Sequence, residues 1–348
     1  MPRHRERPRA SRLSVSLSRG RLRSDPDFTD RAWLESRAMS TQLELLNEKF
    51  VSRGPHMRAI GARITAIEPG RGTMCIPARA DWLGDPVRGL MHPGVLTVLA
   101  DSTCGLSVGS KVDRRTPFAT LDLRMDYLRP AGPDRETFCE AECYRVSRNV
   151  AFTRAEVWQD DRENPIAVAQ GAFMLSTPAG SRPPPDGVAA SSAPPPPEDM
   201  ARWTPPVASE PIPLAHPVPY AEFIGIRTAP SGDETLYRLP YDEKLIGNPR
   251  LPALHGGVIA GFAETSALLH LIRLLPRSKY PKSIDFSIDY LRTGRPEETF
   301  AQCEVVRIGA RVALVQVRCW QRSPDYPIAV TRGHFLLAER GASEGQSA

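Results

Sequence analysis

The chain repeats itself at a fixed distance, and that repetition limits its fold more than any other feature. His92 and His255 lie 163 positions apart, as do Asp101 and Glu264, and the same step carries TLDLRMDYLR (120–129) onto SIDFSIDYLR (283–292). After a one-residue deletion the match resumes, with Trp158 onto Trp320 and Pro165-Ile166-Ala167-Val168 onto Pro327-Ile328-Ala329-Val330. Nearly all of residues 50–176 therefore recurs at about 218–338. The molecule must be one unit made twice.

Each copy reads as the same series of elements. Two strand-like segments with period-two character come first, 57–68 and 72–77 in copy one, split by Pro69-Gly70-Arg71-Gly72. A loop then ends at a turn, His92-Pro93-Gly94 or His255-Gly256-Gly257, and about five turns of apolar helix follow. Further strands close the unit: 119–129, a hairpin over 137–159, and 165–175. A helix apolar on nearly all sides must be wrapped, and a curved antiparallel sheet is what these strands supply. Such a helix has no cheap place for a carboxylate, yet each carries one acid nine residues beyond its histidine, Asp101 or Glu264.

Between the copies, residues 178–215 are rich in Pro, Ala and Ser and predict an extended linker, long enough to let the copies pack side by side. The expected layout is an Arg-rich disordered extension over 1–38, a first domain over 39–177, the linker, a second domain over 216–340 and a disordered tail over 341–348. Thr41 and Glu44 have capping-box spacing ahead of the helical pattern LELLNEKF. The net charge of +5 sits largely in residues 1–23, which lack the aromatic residues that accompany single-strand binding, so no nucleic-acid partner is expected. No run reaches the eighteen or so apolar residues of a membrane span, and none of the six cysteines forms a zinc-like or CxxC pattern. These point to a cytoplasmic protein with reduced thiols, no metal and no membrane partner.

The H-[PG]-G-V-x(6)-[DE] segment, followed by [TS]-[LI]-D-x-x-x-D-Y-L-R, resembles the hotdog-fold acyl-CoA thioesterases of the phenylacetate-pathway type, within the 4-hydroxybenzoyl-CoA thioesterase superfamily. The resemblance covers both copies. It implies an α+β fold of two tandem hotdog domains, each a long central helix wrapped by a curved antiparallel sheet, paired as an intramolecular pseudo-dimer. It implies hydrolysis of an acyl-CoA to a carboxylic acid and free CoA, with no cofactor. A homodimer of such double-hotdog chains is the expected further assembly.

The chemistry can be argued from the residues as well. A glycine turn at a helix start leaves backbone N–H groups bare at the positive end of the helix dipole, a ready site for a thioester carbonyl and the oxyanion it becomes. A carboxylate then activates water as general base or attacks the carbonyl itself, and both routes stay open. Gly256 and Glu264 are eight residues apart, about 12 Å along a helix, too far to serve one carbonyl. Two antiparallel helices solve this, pairing the His255-Gly256-Gly257 turn with Asp101 and the His92-Pro93-Gly94 turn with Glu264. In the family, homodimers build their sites across the subunit interface in this manner.

The two expected sites differ. Pro93 stands where the family has its main N–H donor and has no N–H to give, whereas Gly256 and Gly257 are both retained. Asn248 lies in the loop where the family carries an active-site Asn, with Asp85 there in copy one, and Thr120 and Ser283 match its water-orienting hydroxyl. The expected working site is Asn248, His255, Gly256 and Gly257 with Asp101 and Thr120; His92, Gly94, Glu264 and Ser283 form the second. The histidines are read mainly as orienting residues. Asp122, Asp126, Asp285 and Asp289 are expected to face solvent or pair at strand ends. Arg129, Arg292, Arg148 and Arg311 are candidate contacts for the CoA phosphates. Two alternatives stand beside hydrolysis: a silent acyl-CoA-binding or regulatory protein, and a 3-hydroxyacyl thioester dehydratase, whose helix acid falls about two residues earlier after an HFP-type motif that this chain lacks.

Overall fold

The structure, a computed structural model, describes residues 43–113, 116–175, 217–231, 234–248, 252–276 and 278–339, with single positions at 204 and 210, all within one compact unit. The Arg-rich extension, Thr41, the tail and all of the 178–215 linker but those two positions lie outside the described residues.

Each repeat opens with a short helix, α1 (Pro55–Ala59) or α3 (Pro219–Ile224). This corrects the sequence expectation of a strand beginning at Met57. Pro55 and Pro219 sit at the first helical turn, where the missing N–H costs nothing. Gly61 and Gly225, at φ 67° and 86°, turn the chain out of the helix in a conformation other residues resist. The alternation of MRAIGARITAIE is genuine only from Arg63 onward.

In copy one, β1 (Arg63–Glu68) and β2 (Arg71–Ile76) precede a miniature pair, β3 (Leu83–Asp85) and β4 (Leu90–Met91), and then the long helix α2 (Pro93–Lys111). β5 (Phe118–Tyr127), β6 (Thr137–Val146), β7 (Val150–Trp158) and β8 (Ala167–Leu175) complete the repeat. Copy two follows suit with β9 (Arg227–Ser231), β10 (Glu234–Leu239), β11 (Ile246–Asn248), β12 (Ala253–Leu254), helix α4 (Gly256–Leu274), β13 (Lys279–Tyr290), β14 (Thr299–Ile308), β15 (Val312–Trp320) and β16 (Ala329–Glu339). Twelve strands form one antiparallel sheet in the order β1-β2-β6-β7-β8-β5-β13-β16-β15-β14-β10-β9, which reads the same from either end once the copies are equated. This is the double hotdog that the duplication calls for.

The seam of the sheet is β5 against β13, with Asp126 opposite Asp285, Arg124 opposite Ser287 and Asp122 opposite Asp289. The four aspartates thus meet across the seam on the outer face instead of pairing at strand ends. Arg124 reaches Asp126 at 2.5 Å and Asp285 at 3.4 Å.

On the inner face the two long helices pack against each other and the sheet wraps both. α4 is long and apolar enough to cross a membrane by length and composition, but Val258 through Leu269 are buried without a break, as a core helix must be. The helices run antiparallel, and they cross where side chains are smallest. A Cβ on Gly94 would lie 3.1 Å from the Cα of Gly261, and one on Gly257 would lie 2.7 Å from the Cα of Val98. That crossing brings each helix N-terminus beside the acid of the other.

Candidate active site

The turn at 255–257 is held from beneath by the loop before it. His255 N–H donates to the Leu245 carbonyl at 2.9 Å, and Gly247 lies so close that a Cβ there would come within 2.9 Å of the His255 Cα. The counterpart is the same: His92 N–H donates to the Trp82 carbonyl at 2.7 Å, and a Cβ on Gly84 would come within 2.6 Å of the His92 Cα. Both histidines are helix N-caps. His255 Nδ1 accepts the N–H of Gly257 at 3.0 Å, and His92 Nδ1 accepts that of Gly94 at 3.0 Å. An Nδ1 that accepts must be unprotonated, so the His255 proton sits on Nε2, 3.3 Å from Ser102 Oγ. Burial lowers the pKa of His255 against the pull of Asp101, and burial takes His92 down to about 3. Both are neutral imidazoles that cap their helices.

At this turn the structure joins the residues expected to meet. Asp101, from α2, accepts the Gly257 N–H on Oδ2 at 2.8 Å and the Thr120 hydroxyl on Oδ1 at 2.9 Å. Gly256 occupies the first helical position, where an N–H has no intrahelical acceptor. Its missing side chain matters, because a Cβ would lie 3.1 Å from Asp101 Oδ2 and 3.4 Å from the Tyr290 hydroxyl. Tyr290 itself donates to the Gly256 carbonyl at 2.8 Å. A bare helix N-terminus, a carboxylate held against it and an ordering hydroxyl are therefore in one place, drawn from both repeats.

The second turn is assembled differently. Glu264 is fully buried and accepts three hydroxyls: Ser283 on Oε1 at 2.8 Å, and Tyr127 and Thr97 on Oε2 at 2.8 and 3.2 Å. The bond recorded for the Gly94 N–H goes to its own cap, His92, and Pro93 supplies no donor. Burial lifts Glu264 to about 7, although all three hydroxyls pull it down. Over this turn lies Tyr220, its ring stacked on His92 at 4.7 Å.

Asn248 ends β11 as Asp85 ends β3, but the Asn248 side chain lies outside the described residues. Asp85 is committed locally, accepting the N–H groups of Val87 and Arg88 at 3.0 and 3.2 Å. Of the arginines, Arg129 donates to Asn164 at 2.7 Å and Arg292 to the Pro327 carbonyl at 2.6 Å, while Arg148 and Arg311 are exposed on the hairpin turns. Sequence reasoning missed Tyr127, Tyr290, Ser102, His56 and Tyr220. The two long-helix tyrosine partners had a signal, since Tyr127 and Tyr290 recur within D-Y-L-R. His56 and Tyr220 sit on the helices misread as strand.

A sequence model of the thioesterase superfamily matches the chain twice, over residues 88–166 and 251–328, each match running from just before the His turn to just short of the repeat's last strand, β8 or β16. The chain belongs to the thioesterase superfamily, in tandem form. By that membership it is a thioester hydrolase. A medium/long-chain acyl-CoA thioesterase, YigI, from Salmonella typhimurium is 29% identical over 146 residues, 38% of this chain and 93% of the relative. Among solved structures, a thioesterase described as putative from Novosphingobium aromaticivorans aligns with a TM-score of 0.54 at 17% identity, over 79% of this chain and 98% of the other. A protein with the hot dog fold from Alicyclobacillus acidocaldarius aligns with a TM-score of 0.52 at 13% identity, over 79% and 95% of the two chains. At those identities the two structures bear on the fold alone, and they agree with a double hotdog spanning the described repeats.

Proposed function

We propose that the chain hydrolyses acyl-CoA thioesters at the composite site of the Gly256-Gly257 turn and Asp101. One observation carries this reading: the Gly257 N–H meets Asp101 Oδ2 at 2.8 Å across the two long helices, which brings a carboxylate to the positive end of a helix whose first N–H is free of intrahelical bonding. The thioester carbonyl docks on the Gly256 N–H. Water attacks the carbonyl carbon, passing its proton to Asp101, and the oxyanion that forms is stabilised by that N–H. The carbon–sulfur bond then breaks and the CoA thiolate leaves with the proton Asp101 took up. Direct attack by Asp101, with an anhydride hydrolysed afterwards, uses the same groups. Neither route calls on a metal or an organic cofactor.

Thr120 fixes which Asp101 oxygen faces the substrate, and His255 fixes the turn. Asn248 stands at the loop next to the turn, and Arg148 and Arg311 are the exposed cations available to CoA phosphates. The medium/long-chain activity in the name of the YigI relative makes such acyl-CoAs the first substrates to try, with aryl and short chains as comparison. A homodimer of double-hotdog chains remains the proposed assembly. Thiol release over such a panel tests the reading. Asp101→Asn should lower turnover on the best substrate by about 10²-fold or more, the usual weight of a general base, and absence of release from every acyl-CoA by the wild type would sink it.

A further inference from the structure

We propose that Tyr220 closes the Pro93 turn with its own side chain, so that each chain carries a single catalytic centre, at Asp101. This rests on the hydrolytic reading above for what the open site does, but the closure is argued from packing alone.

Tyr220 lies on α3, the short helix that opens the second repeat and packs onto the first. Its ring is stacked on His92 with centroids 4.7 Å apart and planes inclined by 26°. From there it wedges between the two long helices. A Cβ on Gly94 would meet the ring at 3.0 Å, and a Cβ on Gly261 would meet its hydroxyl at 2.7 Å. The ring therefore fills the space beside the turn that a thioester would need, and only two glycines make room for it. Its support is firm. Phe223 on the same helix packs edge-on against Trp82 at 5.2 Å, and the Arg79 guanidinium lies over both rings at 4.7 and 5.2 Å. Tyr220 is 2% exposed, and its hydroxyl is buried with no hydrogen-bond partner. A group kept at that cost is there for its bulk and shape rather than for a bond.

The other repeat supplies the control. There α1 offers His56, whose Nδ1–H donates to the Lys244 carbonyl at 3.0 Å and holds the ring tilted by 43° from His255, at 5.4 Å. Where Gly261 makes room for the Tyr220 hydroxyl at one crossing, its counterpart at the other is Val98, which packs on Gly257. The neighbours of Gly256 there are Asp101 and Tyr290, both groups with polar atoms to offer. Closure thus depends on a matched pair, a tyrosine on the short helix and a glycine on the long one, present on one side only.

Binding of a non-hydrolysable acyl-CoA thioether to the full chain, counted by calorimetry, tests the closure without reference to turnover. The wild type should bind one per chain, and Tyr220→Ala two. Tyr220→His, which carries the ring of the other repeat, takes the place of the alanine variant if that one does not fold. Two bound per wild-type chain, or one still bound after either folded substitution, would overturn the proposal. Turnover adds a second arm in the Asp101→Asn background. Pro93→Gly should add nothing to the residual release of Asp101→Asn while Tyr220 is intact, and adding Tyr220→His should raise release by an amount that Glu264→Gln removes. Release from Asp101→Asn alone near half the wild-type rate, or a rise in release when Pro93→Gly is added to Asp101→Asn with Tyr220 in place, would also overturn it. A wild type that binds one analogue but hydrolyses no thioester would defeat the hydrolytic reading and leave the closure standing.

Discussion

Two turns of nearly the same sequence, each followed by a buried acid nine residues on, end in different surroundings. Asp101 is short and reaches across to the Gly257 N–H at 2.8 Å. Glu264, one methylene longer, turns instead into a pocket of three hydroxyls from Ser283, Tyr127 and Thr97. Part of the cause lies one turn up the helix from each acid, where Thr97 in copy one stands opposite Ala260 in copy two. The Thr97 hydroxyl lies 2.7 Å from the Tyr127 hydroxyl, and both bond to Glu264; the equivalent Tyr290 has only an alanine there and donates to the Gly256 carbonyl. A carboxylate facing a helix N-terminus is poised to act on something held there. One enclosed by hydroxyls has its acceptor capacity taken up, and burial then favours its neutral form. Chemistry in these folds is decided by which neighbours the acid finds, beyond the presence of the acid.

The widest separation of the two sites should come from the acids. Asp101→Asn removes the charge that the Gly256 turn faces and should cost about 10²- to 10⁴-fold in kcat, whereas Glu264→Gln should change thiol release less than about twofold. Equal losses from the two would erase the distinction. Next is the donor: Gly256→Pro gives the 255–257 turn what Pro93 gives the other. Proline is tolerated at a first helical position, so the fold should persist while kcat falls by about 10²-fold or more, through the loss of one oxyanion donor and the crowding of Asp101 Oδ2 by the added Cβ. A proline variant with unchanged turnover would mean that the carbonyl is bound elsewhere.

A third contrast is in stability against pH. Glu264 titrates near 7 in the fold against an ordinary 4.5. A carboxyl raised on folding adds stability that is complete below about 4.5 and is lost as pH climbs through about 7, a change of about 3 kcal/mol. Denaturant unfolding at pH 5 and pH 8 should therefore show a drop in the wild type that is smaller in Glu264→Gln. An equal drop in both would assign the effect to another group.

Much of this was legible in the sequence because repetition supplies its own control. A shift of 163 residues aligned the turns, the acids and the D-Y-L-R strands, and the 12 Å between turn and acid required two helices per site. Pro93, against Gly256, marks the difference between the two turns in the sequence itself. What escaped depends on contacts between copies at unlike positions. His56 and Tyr220 lie on helices of five and six residues, each running within a few residues into a true strand, as MRAIGARITAIE does after His56. Their Pro and Gly boundaries were the available signal. The meeting of Asp126 with Asp285 and of Asp122 with Asp289 needed the strand register, since alternation alone gives a face but no partner.

The smallest expected effect separates the two ordering hydroxyls. Thr120 and Ser283 occupy equivalent strand positions and bond to their acids at nearly equal lengths, 2.9 and 2.8 Å. Their consequences should differ because their acids do. Thr120→Val keeps the shape and removes the donor, leaving Asp101 oriented by Gly257 alone, and should lower kcat about threefold to tenfold with little effect on KM, the mark of an interaction that matters in the transition state. Ser283→Ala removes one of three donors from a buried carboxyl. Since each of those bonds favours the charged form, its loss should move the Glu264 titration above about 7, with thiol release unaltered. Infrared titration of the protonated carboxyl band, absent in Glu264→Gln, reads that shift directly. A fall in turnover from Ser283→Ala equal to that from Thr120→Val would make the two acids equivalent and break the contrast at its weakest point.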